Sequence, residues 1–541
     1  MKTMKDLIIL NIVEPVAEFK AIESLIGTEM AISLFELVAT KRKNIAVQGL
    51  AMQLGLRAKK YGHQAFVSGM DILQTCKDIG LYKLEHDAEK QSVWVKPLLK
   101  FSDEELFFIE TKSQENHEMP DPVVSNRGLL LSKFSQHDKP LNYLFINKIN
   151  RVPFELDMDI LLNFKGKNMP HNYEEVSAIH LARPIYFNWK YDSRGRSYSS
   201  GYGIDIQGNK TVRSSLSFRN KEVITDIKPL YIALANARGF DDWTWERRIE
   251  WAEKQDISYN FTIPRGTKYP EKYVKAVRAI LDYREGNPSG FIMELDATAS
   301  GIQIMAAITG CVKTANEVNL VDPKRRKDVY KALARNMTHQ GAKTSREDVK
   351  YPCMTHFYNS LKTPRERLSV AQLEAFYKAL DGLLPGAEMA MEKLNECWNP
   401  YAKSHTWVLP DGHTATFNTM TQKQGFYDYE SIRLQYLYYV NEGNKESFRS
   451  LVPNIIHSID GYIARQMVLR ANFELVHVHD CFLFHPNYTE AVKSLYREIL
   501  MELVTDYNIN HIIESLTGRK SNIPISTDLV EHINNSSYAI S

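Results

Sequence analysis

The spacing of apolar and polar positions changes character near residue 175. Before it, residues 14 to 90 read as amphipathic helices, with Ile22, Leu25, Ile26 and Met30 recurring at roughly helical spacing. Residues 113 to 140 are polar and turn-rich (Asn116, Pro120, Asp121, Pro122, Asn126, Gly128) and read as a connector. Leu141 to Phe164 is helical again, broken by Pro153. Beyond Ala182, Pro184 to Tyr191 is aromatic and strand-like. Lys228 to Gln255 is helical, and a mostly helical block runs from Pro323 to Asn399, with interruptions expected near Pro352 and Pro364. Thr406 to His413 reads as strand, turn, strand. Ile432 to Val440 reads as one arm of a hairpin, with Asn441-Glu442-Gly443-Asn444 as its turn. The pattern predicts an α+β, helix-rich fold, with a small helical N-terminal region ahead of a mixed remainder.

Composition narrows this picture. A chain of 541 residues is too long for one simple core and predicts two to four subdomains. A net charge of +2 argues against a surface that is basic throughout and leaves room for a local basic cleft. The stretch Asp322 to Lys350 holds nine Lys/Arg against four Asp/Glu, which on charge alone describes a solvated helix face. The five cysteines are scattered, without CxxC or Cys/His metal-ligand spacing, and read as free thiols in a reducing compartment. No apolar run reaches transmembrane length. The opening residues resemble neither a signal nor a transit peptide, so no targeting segment is expected.

The chemistry lies in separated motifs. Asp296 ends the apolar run Phe291-Ile292-Met293-Glu294-Leu295 and is followed by small residues; Asp480 interrupts Val476-His477-Val478-His479-Asp480-Cys481-Phe482. Read singly, the first is a capping Asp at a strand-to-helix turn and the second a hairpin turn. Projecting together from one sheet, they would share two divalent cations, the arrangement for in-line phosphoryl transfer. In Arg346-x3-Lys350-x7-Tyr358 the two cations share a helical face ahead of an aromatic, which suits a triphosphate with a base or sugar beside it; a basic amphipathic helix reads the same way. Asp192-x-Arg194-Gly195-Arg196 suits phosphate contacts from a turn, or a surface turn with an Asp–Arg pair. His457-Ser458-Ile459-Asp460-Gly461 adds a histidine whose ordinary reading is structural.

In this order, and with Asp296-x3-Ser300-Gly301-Ile302-Gln303 and Trp407-x-x-Pro410-Asp411-Gly412, the motifs resemble the single-subunit DNA-directed RNA polymerases of phages and mitochondria, from about residue 141 onward. The resemblance implies a right-hand fold: residues 1–140 a reduced helical N-terminal region, 141–180 a thumb-like segment, and 181–541 palm and fingers. The fingers would fall at roughly 315–400 and a specificity-type hairpin at roughly 430–452. It implies that Asp296 and Asp480 bind two Mg²⁺ and that Arg346 and Lys350 hold the incoming triphosphate. Tyr358 would close the nucleotide pocket, with Tyr330 in its neighbourhood and His457 facing the ribose or the minor-groove side of the new pair. Arg194, Arg196 and Arg213 would contact nucleic acid. The implied partners are a DNA template, the RNA product and nucleoside triphosphates, in the cytoplasm of a bacterial host and away from membranes.

Four features depart from the family pattern. Asn359 follows Tyr358 where glycine is usual, and Pro352 falls inside the nucleotide-binding helix. The aromatic C-terminal foot of the phage enzymes is not evident in Tyr538-Ala539-Ile540-Ser541. The part before Asp192 is short, so an accessory protein for promoter opening, or a single-stranded template, is expected. Two other readings compete. A family A DNA polymerase or a primase shares several motifs, but the former carries a glutamate shortly after its first aspartate, where this chain has Ala297, Thr298, Ala299, Ser300 and Gly301. An inactive nucleic-acid-binding relative would not need both aspartates and both cations.

Overall fold

Buried apolar side chains gather into two separate cores. The computed structural model describes residues 17–38, 44–87, 92–98, 119–123, 140–164, 183–200, 204–208, 210–360 and 362–541. One unit joins the described part of residues 1–115 to 419–444; the other holds 116–418 and 445–541.

In the smaller unit, helices Ala17–Ile26, Thr28–Val38, Val47–Arg57 and His63–Cys76 accompany a three-stranded antiparallel sheet with Ser92–Pro97 between Ile45–Ala46 and Tyr82–Asp87. The helical reading of this region therefore holds only as far as Cys76. The unit is completed by strands Met420–Tyr429 and Ile432–Asn441, paired residue for residue. Tyr429, Ile432, Leu434 and Tyr436 alternate into the same core as Phe19, Phe35, Phe66 and Met70. Tyr436 lies flat on Phe66, with ring centroids 3.6 Å apart.

This corrects the expected hairpin at 430–452. The turn is Glu430-Ser431, with Glu430 at φ +52°. The polar tetrad Asn441 to Asn444 has turn composition but leaves the hairpin, and Leu451 already begins a long helix. Composition pointed to the wrong turn because strand alternation, which sets register, continues unbroken through Tyr429 and Ile432.

The larger unit is built on a small antiparallel sheet with Cys481–Phe484 between Met293–Asp296 and Leu475–Val478. Met293, Leu295, Leu475, Val476, Phe482, Leu483 and Phe484 are buried, and helices Ser300–Thr309, Leu451–Arg470 and Thr489–Thr505 pack around them. The helical block consists of Val329–His339, Arg346–Phe357, Lys362–Arg367, Val370–Leu383 and Pro385–Asn395. Neither Pro352 nor Pro364 interrupts a helix, although one break does fall just before Pro385. Pro364 sits in a first turn, where its missing N–H is no loss, and the 346–357 helix continues through Pro352. Another break falls at Asn359, at φ +63°.

The strand and turn read within Thr406 to His413 are present, but the second strand lies beyond that range, the pair being Ser404–Val408 and Thr414–Asn418; Asn188–Tyr191 pairs with Ser197–Ser200 around the turn carrying Arg194 and Arg196. The fold is α+β and helix-rich, as the pattern predicted. Most of the expected connector, and the second half of the thumb-like segment, lie outside the described residues. Cys76, Cys311, Cys353, Cys397 and Cys481 are free thiols. Among the described residues no helix is long and apolar enough to cross a membrane.

Candidate active site

Strand pairing brings the two aspartates together. Asp296 stands opposite Cys481 in the ladder, and the Ala297 N–H donates to the Asp480 carbonyl at 3.1 Å. Asp480 sits in a two-residue turn, His479-Asp480, with His479 at φ +57°. The hairpin-turn reading of Asp480 is thus locally right, but Asp296 caps no helix, since Ala299 is the N-cap of Ser300–Thr309 and no side chain bonds there; the strand pairing makes the two aspartates one site. His477 secures the turn from below: it is buried, its Nδ1–H donates to the His479 carbonyl at 3.2 Å, and its Nε2 accepts from the Ser197 hydroxyl at 2.7 Å. Burial pushes its pKa down to about 3, so it stays neutral in this role.

Loss of hydration and the carboxylates of Asp480 and Glu294 push the Asp296 pKa up to about 7. Solvent reaches Asp296 through the cleft, so desolvation acts on it less than its crowded surroundings suggest; repulsion from Asp480 acts regardless. Burial and the Asp460 carboxylate also push Asp480 upward, against a hydrogen bond from Ser300. Glu294, on the same strand face two residues before Asp296, is different. Burial would raise it, but Lys272 at 2.6 Å and Arg213 at 3.9 Å hold it below its ordinary range.

The opposite wall is the Arg346–Phe357 helix. Its start is fixed by a capping box between Ser345 and Asp348. Arg346 and Lys350 lie over the ring of Tyr330, 5.6 and 6.0 Å from its centroid, and Arg346 Nε donates to Asp328 at 2.7 Å. Tyr358 ends the helix. The next residue must adopt the left-handed conformation that glycine favours, and asparagine is among the few others that accept it; the Asn359 amide is further held by Asn395 at 2.7 Å. Asp296, Asp480, Tyr330, Arg346, Lys350 and Tyr358 line one cleft of about 610 Å³, together with Arg326, Lys327 and Lys331. The basic stretch is therefore a cleft wall as well as a solvated face.

Behind Tyr358, the 192–196 turn lies on the Leu451–Arg470 helix. Gly195 has φ +86°, and a Cβ on Gly461 would stand 2.7 Å from the Gly195 carbonyl oxygen; both motif glycines are there for this close approach. Arg194 donates to Asp192 at 2.5 and 2.9 Å and to His457 Nδ1 at 3.1 Å. A guanidinium only donates, so the His457 proton resides on Nε2. Burial, Arg196, Arg194 and His479 push the His457 pKa down to about 3, and its ring tilts against Tyr358 at 5.3 Å. Arg196 donates from Nη2 and Nε to one oxygen of Asp460, Oδ2, at 2.6 and 3.0 Å. The arginines expected on nucleic acid therefore spend these donors inside the protein, organising His457 and the helix beneath it.

The Trp407–Gly412 motif holds the same helix. Trp407 Nε1 donates to Ser458 at 2.7 Å. Asp411 accepts two bonds, at 2.8 and 3.0 Å, from Arg465, which is fully buried and also holds the Gly195 carbonyl at 2.7 Å. Asp411→Ala strands that charge and should cost about 3–5 kcal/mol in urea unfolding. A loss below about 0.5 kcal/mol, the range of an ordinary surface change, would mean the pair is not structural.

Of the residues singled out in the sequence, Arg213 alone stands apart from these two groups, at a second cavity bordering Asp296 and Asp480. The sequence reading missed Asp328, Arg326, Lys327, Lys272, Glu294 and the pairing role of Asp460. Glu294 was legible, since a residue two before Asp296 on a strand shares its face. The C-terminal segment was also not foreseen as part of this region. The Ser541 N–H donates to the Asp296 carbonyl at 2.9 Å and Ile540 bridges Ala297, so this segment reaches the aspartate strand, while Tyr538 is anchored on Trp245 with ring centroids 5.3 Å apart.

The donor set suits a divalent cation. Two adjoining carboxylates that repel one another call for a cation, and Mg²⁺ is ordinarily held by one or two carboxylates plus water and substrate phosphates. Among the described residues there is no cluster of three or more metal-ligating side chains of the kind an all-protein cage requires.

Comparison with known proteins agrees with this chemistry. The sequence model for the family described as DNA-dependent RNA polymerase matches residues 272–363, which run from before Asp296 to just beyond Tyr358. The chain is similar to a DNA-directed RNA polymerase of Pseudomonas phage phiKMV, 25% identical over 359 residues, covering 53% of this chain and 43% of that protein. It is similar to a probable DNA-directed RNA polymerase of Neurospora crassa, 33% identical over 148 residues, covering 25% of this chain and 16% of that one. The matches thus span less than half the length of either relative. Among solved structures, the POL domain of Pol1 from M. smegmatis, in complex with DNA primer-template and dNTP, superposes with a TM-score of 0.30 at 12% identity, covering 64% of this chain and 47% of that one. That likeness is too slight to bear on the fold.

Proposed function

We propose that this chain is a member of the phage and mitochondrial family of single-subunit DNA-dependent RNA polymerases, to which its similarity points, and that it adds ribonucleotides to an RNA 3′ end on a DNA template. The observation carrying this reading is the meeting of Asp296 and Asp480 in one cleft with Arg346, Lys350 and Tyr358.

Held by Asp296 and Asp480, two Mg²⁺ ions would make the RNA 3′-hydroxyl more acidic and neutralise the departing pyrophosphate. Lys350 and Arg346 grip the triphosphate, and their contacts strengthen as charge builds on the leaving group. Tyr358 packs against the sugar. His457, held neutral with its proton on Nε2, offers one N–H donor toward the nucleotide pocket, and Arg194 keeps that tautomer in place. Arg194 and Arg196 support the template–RNA hybrid through the helix they order. The phage relative supports a bacterial host's cytoplasm as the place of action.

Absence of a glutamate among Ala297 to Gly301 favours ribonucleotides over deoxyribonucleotides. Tyr358→Phe should lower the preference for rNTPs over dNTPs roughly tenfold, through loss of a hydroxyl-dependent contact; an unchanged ratio would leave Tyr358 a packing residue. The test of the function is extension of an annealed RNA primer with Mg²⁺ and either rNTPs or dNTPs, on single-stranded and on duplex template. Incorporation of dNTPs alone, or of neither, defeats it.

A further inference from the structure

The two carboxylate oxygens of Asp328 have different work. As the N-cap of helix Val329–His339, Asp328 accepts the backbone N–H groups of Tyr330 and Lys331 through Oδ1, at 3.0 and 3.1 Å. Oδ2 accepts from Arg346 Nε at 2.7 Å. The cap uses one oxygen and needs no charge, since asparagine and serine cap helices about as well as aspartate. The charge is also out of place for simple ligand binding. Asp328 lines the nucleotide cleft, with its side chain 14% exposed, and a carboxylate there repels the triphosphate that Arg346 and Lys350 would hold.

What the charge supplies is a fixed guanidinium. Arg346 is the first residue of its helix, so no earlier turn of that helix packs its long side chain, and an arginine left free there would sample many rotamers. Asp328 takes Nε, the inner nitrogen of the group. Glu347 takes Nη1 at 3.0 Å, from a side chain that is 77% exposed, and such surface pairs are weak. Nη2 has no partner among the described residues. The ring of Tyr330, whose backbone N–H Asp328 also holds, has its centroid 5.6 Å from the guanidinium carbon. One carboxylate thus fixes the inner edge of the guanidinium and the residue whose ring it lies over, and leaves the outer edge for a ligand.

We propose that Asp328 is a positioning residue for nucleotide addition, one that aims the outer edge of Arg346 at the phosphates of the incoming nucleotide. The assignment rests on the polymerase reading of this cleft. A carboxylate beside the triphosphate weakens ground-state binding, whereas a donor already aimed acts most strongly where charge builds up, in the transition state. Neutralising Asp328 should therefore lower kcat without raising KM, the opposite of what loss of a binding contact does.

The experiment is single-nucleotide extension of an annealed primer by the full-length protein, with Asp328→Asn made alone and together with Arg346→Ala. With its carbonyl oxygen on the cap, the asparagine turns an amide N–H toward Arg346 Nε, donor against donor. We expect kcat to fall about fivefold with KM no higher, and the fall to shrink to within about twofold once Arg346 is gone. A damaged cap or a loss of folded protein does not depend on Arg346, so either would persist in that background. Where Asp328→Asn fails to fold, Asp328→Ser takes its place, its hydroxyl serving the cap. An unchanged kcat, a raised KM, or a fall that survives removal of Arg346 overturns the assignment. Extension by the unsubstituted protein separates the two levels: without it the polymerase reading falls, and with it but with any of those three results only this assignment falls.

Discussion

Asp480→Asn and Asp296→Asn should each reduce nucleotide addition by at least about 10³-fold while leaving the fold as stable as before, or more so. The two effects have one cause. Held at adjoining positions by the pairing of Met293–Asp296 with Cys481–Phe484, the carboxylates repel each other, and Asp296 is also repelled by Glu294. An amide keeps the shape and removes the repulsion, but it cannot hold a divalent cation as a carboxylate does. The sign of the pH dependence follows. The unfolded chain releases the Asp296 proton near the ordinary carboxylate value of about 4, whereas the folded protein keeps it until about 7. Between those values the folded state binds more protons, so without divalent ions stability falls as pH rises through that window and is lowest above it. Asp296→Asn should flatten the fall. Mg²⁺ should raise Tm more at pH 8 than at pH 5.5, because the cation then meets a pair that no proton has already neutralised. A normal extension rate in either variant would remove the metal assignment; a fall in stability with pH that Asp296→Asn leaves untouched would remove the electrostatic one.

The sequence exposed this site because its aspartates sit at the ends of apolar strands, where residue type and position speak together. The same is true of the Arg346–Lys350 face and of Trp407 to Gly412. Local reading failed where partners lie far away in the chain. Arg194 and Arg196 look like solvent-facing phosphate binders until the Leu451–Arg470 helix supplies Asn454, His457 and Asp460. Asn359 looks like a departure until its left-handed backbone shows why asparagine can replace glycine. The hairpin turn was misplaced because Asn441 to Asn444 has turn composition, whereas Glu430-Ser431 is set by ten-residue pairing and by Tyr436 stacking on Phe66, which no local window contains. Pro352 was expected to break a helix whose capping box and buried Val349, Cys353 and Phe357 hold it together through the proline.

Lys350→Ala should lower kcat/KM for the incoming nucleotide by roughly 10²- to 10³-fold, about 3–4 kcal/mol of transition-state stabilisation. Arg346→Ala should cost less. The guanidinium of Arg346 already donates to Asp328 at 2.7 Å and to Glu347 at 3.0 Å, so part of its charge is answered before any nucleotide arrives. The ammonium of Lys350 comes to the cleft over the face of Tyr330, 6.0 Å from the centroid, an aromatic seat that orients it without neutralising it. On the proposed reading it would meet the leaving phosphates with its charge largely unspent. Lys350→Arg should recover part of the loss and Lys350→Met none, because the contact needs a cation at that distance and not merely a long side chain. Binding of template alone, measured without nucleotide, should be unchanged within about twofold, since the role proposed for this lysine is to hold the triphosphate. If Lys350→Ala stays within about threefold of the unsubstituted protein, or loses template affinity in step with kcat/KM, the helix Arg346–Phe357 binds nucleic acid rather than the incoming nucleotide.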